Sequence, residues 1–172
     1  MPDKALIVAA HELGLALVER AQMIATAESC TGGMIAMALT EVAGSSAWFE
    51  RGLVTYSNRA KTELLAVPSD LIEQFGAVSE QVAIAMALGA IQSNPGISLS
   101  ISVTGIAGPG GGSVEKPVGT VIHGFAWRCQ EPGDRIKHRF ERCQYSGDRA
   151  AVRLATSIFA LRQALNLLQT EC

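Results

Sequence analysis

Met23-Ile24-Ala25-Thr26-Ala27-Glu28-Ser29-Cys30-Thr31-Gly32-Gly33-Met34-Ile35-Ala36-Met37-Ala38-Leu39 sets the reading of the chain. An apolar run leads into Thr26, and an Ala-rich apolar run leaves after Gly33. The stretch therefore reads as a short buried strand, a tight turn and a helix. A serine at that junction sits where backbone N–H groups without intrahelical partners converge. Such donors can hold an oxyanion or a phosphate, and the hydroxyl beside them can attack. The logic is that of a nucleophile elbow, although the G-x-S-x-G spelling is absent.

The flanking segments extend the pattern in both directions. Residues 4–20 set Leu6, Ala9, Ala10, Leu13 and Leu17 at helical spacing, ahead of a strand at 22–27 and a helix at 31–42. Ala43-Gly44-Ser45-Ser46 breaks that helix, and Gly52–Tyr56 reads as a second strand. Asn58 caps a short helix through Lys61 to Leu65, and Ser69 to Phe75 adds another turn or two. Ser79 caps an Ala-rich helix at 80–93, and a strand follows at 99–103. Beyond a glycine-rich loop at 104–117, strands at 118–127 and 135–144 are joined through turn residues 130–134. A last amphipathic helix covers 147–168. Helices that alternate with strands and end in a hairpin predict an α/β fold. We expect a single three-layer α/β/α domain with a mixed sheet over residues 1–172.

Composition narrows the function classes. The 172 residues are 48% hydrophobic and 17% charged, which predicts a homodimer or larger homo-oligomer. A net charge of −2 and the lack of a basic run argue against a nucleic-acid partner. No stretch reaches the roughly 18 uninterrupted apolar residues of a membrane span. The N-terminal residues Asp3, Lys4, His11 and Glu12 do not read as a signal peptide, so a cytoplasmic location is expected. Cys30, Cys129, Cys143 and Cys172 have no metal-ligand spacing, and His11, His123 and His138 are scattered. No metal and no cofactor is expected.

Three polar constellations fall at strand ends, where open α/β sheets place their ligands. They are the Ser29 turn, Tyr56-Ser57-Asn58-Arg59-Ala60-Lys61, and Thr104-Gly105-Ile106-Ala107-Gly108-Pro109-Gly110-Gly111-Gly112-Ser113 with Lys116 beyond. A serine nucleophile needs a base. No histidine is placed to serve, whereas a lysine can if burial favours its neutral amine. Lys61, at a helix start beside Tyr56 and Asn58, is the best candidate. Taken alone, Ser29 also reads as a helix cap and Lys61 as a solvated lysine. Cys30 is the rival nucleophile, at a helix N-terminus that would lower its pKa. Glu28 can orient Lys61 or cap the helix start. The glycine-rich loop admits close ligand approach, or is a plain surface loop.

Several strings together resemble one family. Thr26–Gly33, Ala43–Ser46, Tyr56–Lys61, Gly76-Ala77-Val78-Ser79-Glu80, Thr104–Ser113 and Lys116-Pro117-Val118-Gly119-Thr120 are similar, in this order, to the CinA C-terminal domain family. The resemblance runs over about residues 5–165. The stand-alone members it resembles are nicotinamide mononucleotide deamidases. They hydrolyse the carboxamide of that pyridine mononucleotide to nicotinic acid mononucleotide and ammonia, in pyridine nucleotide recycling. The resemblance implies Ser29 as nucleophile, Lys61 as its base and Tyr56 in the same pocket. It implies that Glu28, Cys30, Thr31, Gly32 and Gly33 surround the reacting group, with the turn amides as donors. Ser46, Asn58, Thr104, Gly105, Ile106, Ala107 and Gly108 would shape the substrate pocket, and Arg142 and Arg149 would face the phosphate. A binding module that holds a nucleotide or phosphate metabolite without turning it over is the alternative.

Overall fold

The computed structural model describes residues 2–129 and 135–171, so the turn expected at 130–134 lies outside the described residues. Helix α1 (Lys4–Glu19) is capped by Asp3, whose carboxylate accepts from the amides of Ala5 and Leu6 at 2.9 and 3.2 Å. Strand β1 (Ile24–Glu28) leads through the serine turn to α2 (Met34–Thr40). A 3-10 turn at Ser45–Ala47 precedes β2 (Phe49–Val54). Three helices follow: α3 (Asn58–Leu65), α4 (Ser69–Phe75) and α5 (Glu80–Gln92). The chain closes with β3 (Leu99–Gly105), β4 (Thr120–Arg128), β5 (Ile136–Gln144) and α6 (Arg149–Thr170).

The five strands form one mixed sheet in the order β2-β1-β3-β4-β5. The first three run parallel, while β4 is antiparallel to β3 and β5 to β4. The chain leaves β1 toward β2 and then returns past β1 to β3. This reversal opens a crevice at the carboxyl ends of the parallel strands.

Both faces of the sheet are covered, giving the expected three layers. Leu6, Leu13 and Leu17 of α1, Ile35 and Leu39 of α2, and Leu161 and Leu168 of α6 pack with Ile24, Ile101 and Phe125. On the other face Leu65, Ile72, Val82, Met86 and Ile91 pack with Ala25, Ala27 and Ala126. Side chains alternate along each strand, so Ile24 faces α1 and α2 while Ala25 and Ala27 face α5. The same alternation turns Ser100 and Ser102 toward α5, where their hydroxyls donate to the carbonyls of Ala87 and Ala83 at 2.7 and 2.6 Å. Small, hydrogen-bonded side chains bring the helix close to the sheet without leaving a buried polar group unpaired.

Several boundaries shift by one to three residues from the sequence expectation, and two of the differences have a direct physical reason. Strand β2 begins at Phe49, because its pairing with β1 starts at Ile24, and it ends at Val54. The charged Glu50 and Arg51 hide this edge strand from pattern reading, and they satisfy each other as an ion pair. Helix α3 is capped by Ser57 in place of Asn58: the Ser57 hydroxyl accepts from the Ala60 amide at 3.0 Å.

Candidate active site

Alternation along β1 decides which way the first constellation faces. Glu28, in phase with Ile24, turns toward α2, and Ser29 turns the opposite way, toward α3 and α5. There it meets Lys61 from the first turn of α3. Lys61 Nζ lies 3.1 Å from Ser29 Oγ and donates to the carbonyls of Thr55 at 2.9 Å and Tyr56 at 3.4 Å. Ser29 is 9% exposed and Lys61 only 1%. Desolvation by burial holds the Lys61 pKa below the ordinary lysine value, against a smaller opposing effect of Cys30. A neutral amine has two N–H groups and one lone pair. Two carbonyls and one hydroxyl match that set, with the Ser29 O–H then donating to Nζ.

Glu28 is fully engaged on the far side of the turn. Its buried carboxylate accepts from the amides of Gly33, Ile35 and Ala36 at 3.0, 3.1 and 2.8 Å. It also accepts from the hydroxyls of Thr31 at 2.7 Å and Thr26 at 3.3 Å. A carboxylate at a helix N-terminus is favoured by the helix dipole. Glu28 thus caps α2 and has no contact with Lys61, and the Gly33 amide is not free to serve a ligand. The Gly32 amide is also engaged, by the Ser29 carbonyl at 3.1 Å. The amides of Cys30 and Thr31 have no main-chain or carboxylate acceptor among the described residues. Gly32 and Gly33 have φ of +58° and +92°, the left-handed conformation that lets the chain turn so sharply.

The environment of Cys30 is the reverse of that expected from a helix N-terminus. It packs beside Ala107, Val121 and Val152, and burial pushes its thiol up to about 11. The neighbouring Glu28 adds to that effect. The helix end that would have stabilised a thiolate is occupied by a carboxylate. His123 is no base either. It lies inside β4 with Nε2 3.0 Å from the Tyr145 hydroxyl, and burial pulls it down to about 3.

Ser29, Cys30, Tyr56, Asn58, Lys61, Thr104, Gly105, Ala107 and Arg149 line one cavity of about 210 Å³, together with Ala77 and Val78. The ends of β1, β2 and β3 thus converge. Tyr56 is 62% exposed at the rim; its hydroxyl accepts from Arg149 Nη2 at 3.1 Å, and it touches the Ser29–Lys61 pair only through its main-chain carbonyl. Arg149 Nη1 also donates to the Gly108 carbonyl at 2.8 Å, so one guanidinium spans from β2 to the glycine-rich loop. Ile106 and Gly108 belong to the loop wall and do not line the cavity. Thr31, Gly32 and Gly33 lie behind it in the turn.

Two residues lie apart from the cavity. Arg142 donates to the Glu115 carbonyl at 2.8 Å and lines an adjoining cavity with Lys116 and Ser79. Ser46 precedes β2, and because β1 and β2 run parallel it lies at the opposite end of the sheet from Ser29.

Sequence reading did not assign Ala77, Val78 or Arg153 to the site, although the first two fall within the Gly76–Glu80 string that carries the resemblance. The first two come from the loop before α5, pinned where the Thr104 hydroxyl donates to the Ala77 carbonyl at 2.8 Å. Arg153 donates to the carbonyls of Cys30 and Thr31. Its one sequence signal is its spacing of four from Arg149, which puts both on one face of α6.

A family model of the CinA C-terminal domain matches residues 7–170, and the chain belongs to that family. The nicotinamide-nucleotide amidohydrolase PncC of Enterobacter agglomerans is 52% identical over 165 residues, covering 96% of each chain. The protein of the same name from Escherichia coli K12 is 48% identical over 162 residues, covering 94% of each. Among solved structures, the competence/damage inducible protein CihA from Agrobacterium tumefaciens superposes with a TM-score of 0.86 at 42% identity. That match covers 96% of this chain and 98% of the other. No helix among the described residues is long and apolar enough to cross a membrane.

Proposed function

We propose that this protein hydrolyses the carboxamide of nicotinamide mononucleotide, releasing ammonia and nicotinic acid mononucleotide, with Ser29 as nucleophile and Lys61 as base. The observation that carries the reading is the buried Lys61 amine 3.1 Å from the Ser29 hydroxyl. The substrate follows from the relatives at about 50% identity, which are nicotinamide-nucleotide amidohydrolases.

The chemistry is acyl transfer. Neutral Lys61 takes the Ser29 proton as Oγ attacks the carboxamide carbon. Turn amides not otherwise engaged stabilise the oxyanion, each donor being worth about 3 kcal/mol. Protonated Lys61 then delivers its proton to departing ammonia, and water attacks the acyl-enzyme with Lys61 again as base. Arg149, at the rim, would meet the phosphate. The reading carries with it a cytoplasmic setting and a homo-oligomer. Exposed apolar side chains at Val8, Leu15 and Val18 of α1 support the latter.

The test is ammonia release from nicotinamide mononucleotide, in the presence of a chelator, by wild type and Ser29→Ala. Chelator-resistant activity that disappears in the variant supports the reading. Activity surviving in Ser29→Ala defeats the serine assignment. A second reading is a binding module without turnover, favoured by the three acceptors around Nζ, which also suit an ammonium. Substrate binding without ammonia release or a trapped acyl-serine would establish it.

A further inference from the structure

One guanidinium holds the turn that carries the nucleophile. Arg153 of α6 donates from Nε to the Cys30 carbonyl at 3.1 Å and from Nη2 to the Thr31 carbonyl at 2.7 Å. These partners lie 123 and 122 positions away in the chain. The side chain is partly buried and takes part in no ion pair among the described residues. Its charge is therefore directed at two consecutive main-chain carbonyls, as charge-assisted hydrogen bonds.

A trans peptide points its C=O and the next N–H in opposite directions. Drawing the Cys30 carbonyl toward α6 turns the Thr31 N–H away from α6. Drawing the Thr31 carbonyl the same way turns the Gly32 N–H back to the Ser29 carbonyl, which it meets at 3.1 Å. Glu28 secures the other end of the turn through the Gly33 amide and the Thr31 hydroxyl. Between these two anchors lie Gly32 and Gly33, the residues with the most backbone freedom. The Thr31 carbonyl also accepts from the Met34 amide at 3.2 Å, whereas Arg153 is the one donor to the Cys30 carbonyl among the described residues.

We propose that Arg153 is a positioning residue for Ser29: it fixes the Cys30–Thr31 peptide unit and braces the next one, and so holds the hydroxyl against Lys61 and the Cys30 and Thr31 amides in place. It does not line the cavity. Its kinetic readout rests on the amidase reading, so a second readout independent of that substrate is needed.

The experiment compares wild type, Arg153→Ala and Arg153→Lys in two assays. One is hydrolysis of nicotinamide mononucleotide. The other is the rate of Ser29 sulfonylation by phenylmethylsulfonyl fluoride, read by intact mass. Arg153→Ala is expected to lower kcat by about 10- to 100-fold, with KM changed less than about two-fold, as for a slightly misplaced nucleophile. Sulfonylation should slow in parallel. Arg153→Lys should fall between the two, and guanidinium ion below unfolding concentrations should restore part of the Arg153→Ala rate. Unchanged kcat and sulfonylation would overturn the proposal, as would a lowered kcat that neither lysine nor guanidinium recovers. If Arg153→Ala does not fold, Arg153→Lys decides: a wild-type kcat there overturns it, and a several-fold loss supports it. If the wild type does not hydrolyse the nucleotide, the amidase reading fails and sulfonylation alone decides. A Ser29 that reacts in neither assay would sink both readings.

Discussion

Lys61 reaches Ser29 across 32 positions of sequence and ends 3.1 Å from its hydroxyl, almost wholly shielded from solvent. A pair acting as one unit fails as one unit. Ser29→Ala and Lys61→Ala are each expected to lower kcat by about a thousand-fold or more, and the double variant should be little worse than either single one. Ammonia release under substrate saturation measures all three.

Burial of the same lysine makes two pH-dependent effects. If the neutral amine is the base, as proposed, kcat/KM should rise with pH through a single-proton step below the ordinary lysine value. Stability follows the same sign. Between the lowered native pKa and the unfolded value, the unfolded chain binds more protons, so rising pH favours the native state. The stability of wild type relative to Lys61→Met should therefore increase with pH in that window, by at most about 1.4 kcal/mol per unit. Urea unfolding of both proteins from neutral to alkaline pH checks it, and a flat difference would contradict the lowered pKa.

Glu28 supports the turn through four groups that have no other partner among the described residues: the amides of Gly33, Ile35 and Ala36 and the hydroxyl of Thr31. Glu28→Ala strands these donors in a buried site, and a loss of at least about 3 kcal/mol is expected in equilibrium unfolding. Glu28→Gln retains one oxygen and should lose less. A near-native unfolding midpoint for Glu28→Ala would show that water replaces the carboxylate freely.

Arg149 sets a different kind of test, since it is tied to the Tyr56 hydroxyl and the Gly108 carbonyl at the rim. If it receives the phosphate, Arg149→Met should raise KM for nicotinamide mononucleotide about ten-fold or more, as expected for a lost charge-assisted contact. The same change should hardly affect nicotinamide riboside. Equal effects on both substrates would assign Arg149 to shaping the loop.

Close approach of α5 to the loop after α3 gives a purely structural prediction. A Cβ on Gly89 would lie 2.0 Å from the Leu65 carbonyl oxygen, so the helix must retreat to accommodate it. Gly89→Ala should destabilise by about 1–3 kcal/mol, the range for overpacking, despite the better helix propensity of alanine. Thermal unfolding measures the sum.

Ser29 and Lys61 were legible in the sequence because each sits where an apolar strand gives way to a helix, and parallel strands bring such junctions to one edge. What escaped reading came from elements distant in sequence. Ala77 and Val78 enter the cavity through the loop before α5, and Arg153 crosses from α6. The opposite outcome at Cys30 has the same origin. A helix N-terminus promises a low thiol pKa, but the apolar neighbours Ala107, Val121 and Val152 and the Glu28 carboxylate come only with the folded chain. Ser46 fails for a topological reason: adjacency in motif order says nothing about which end of a parallel strand a turn occupies.

The α6 contacts have a consequence for synthesis. Ser29 and Lys61 leave the ribosome early, whereas Arg149 and Arg153 lie in the last helix, which also supplies Leu161, Leu167 and Leu168 to the core. A growing chain therefore carries Ser29 and Lys61 long before it has the arginines that bind the glycine-rich loop and the turn beside them. If the Ser29–Lys61 pair is the catalytic one, competence awaits the docking of α6, and chains that stop short of that helix should be idle.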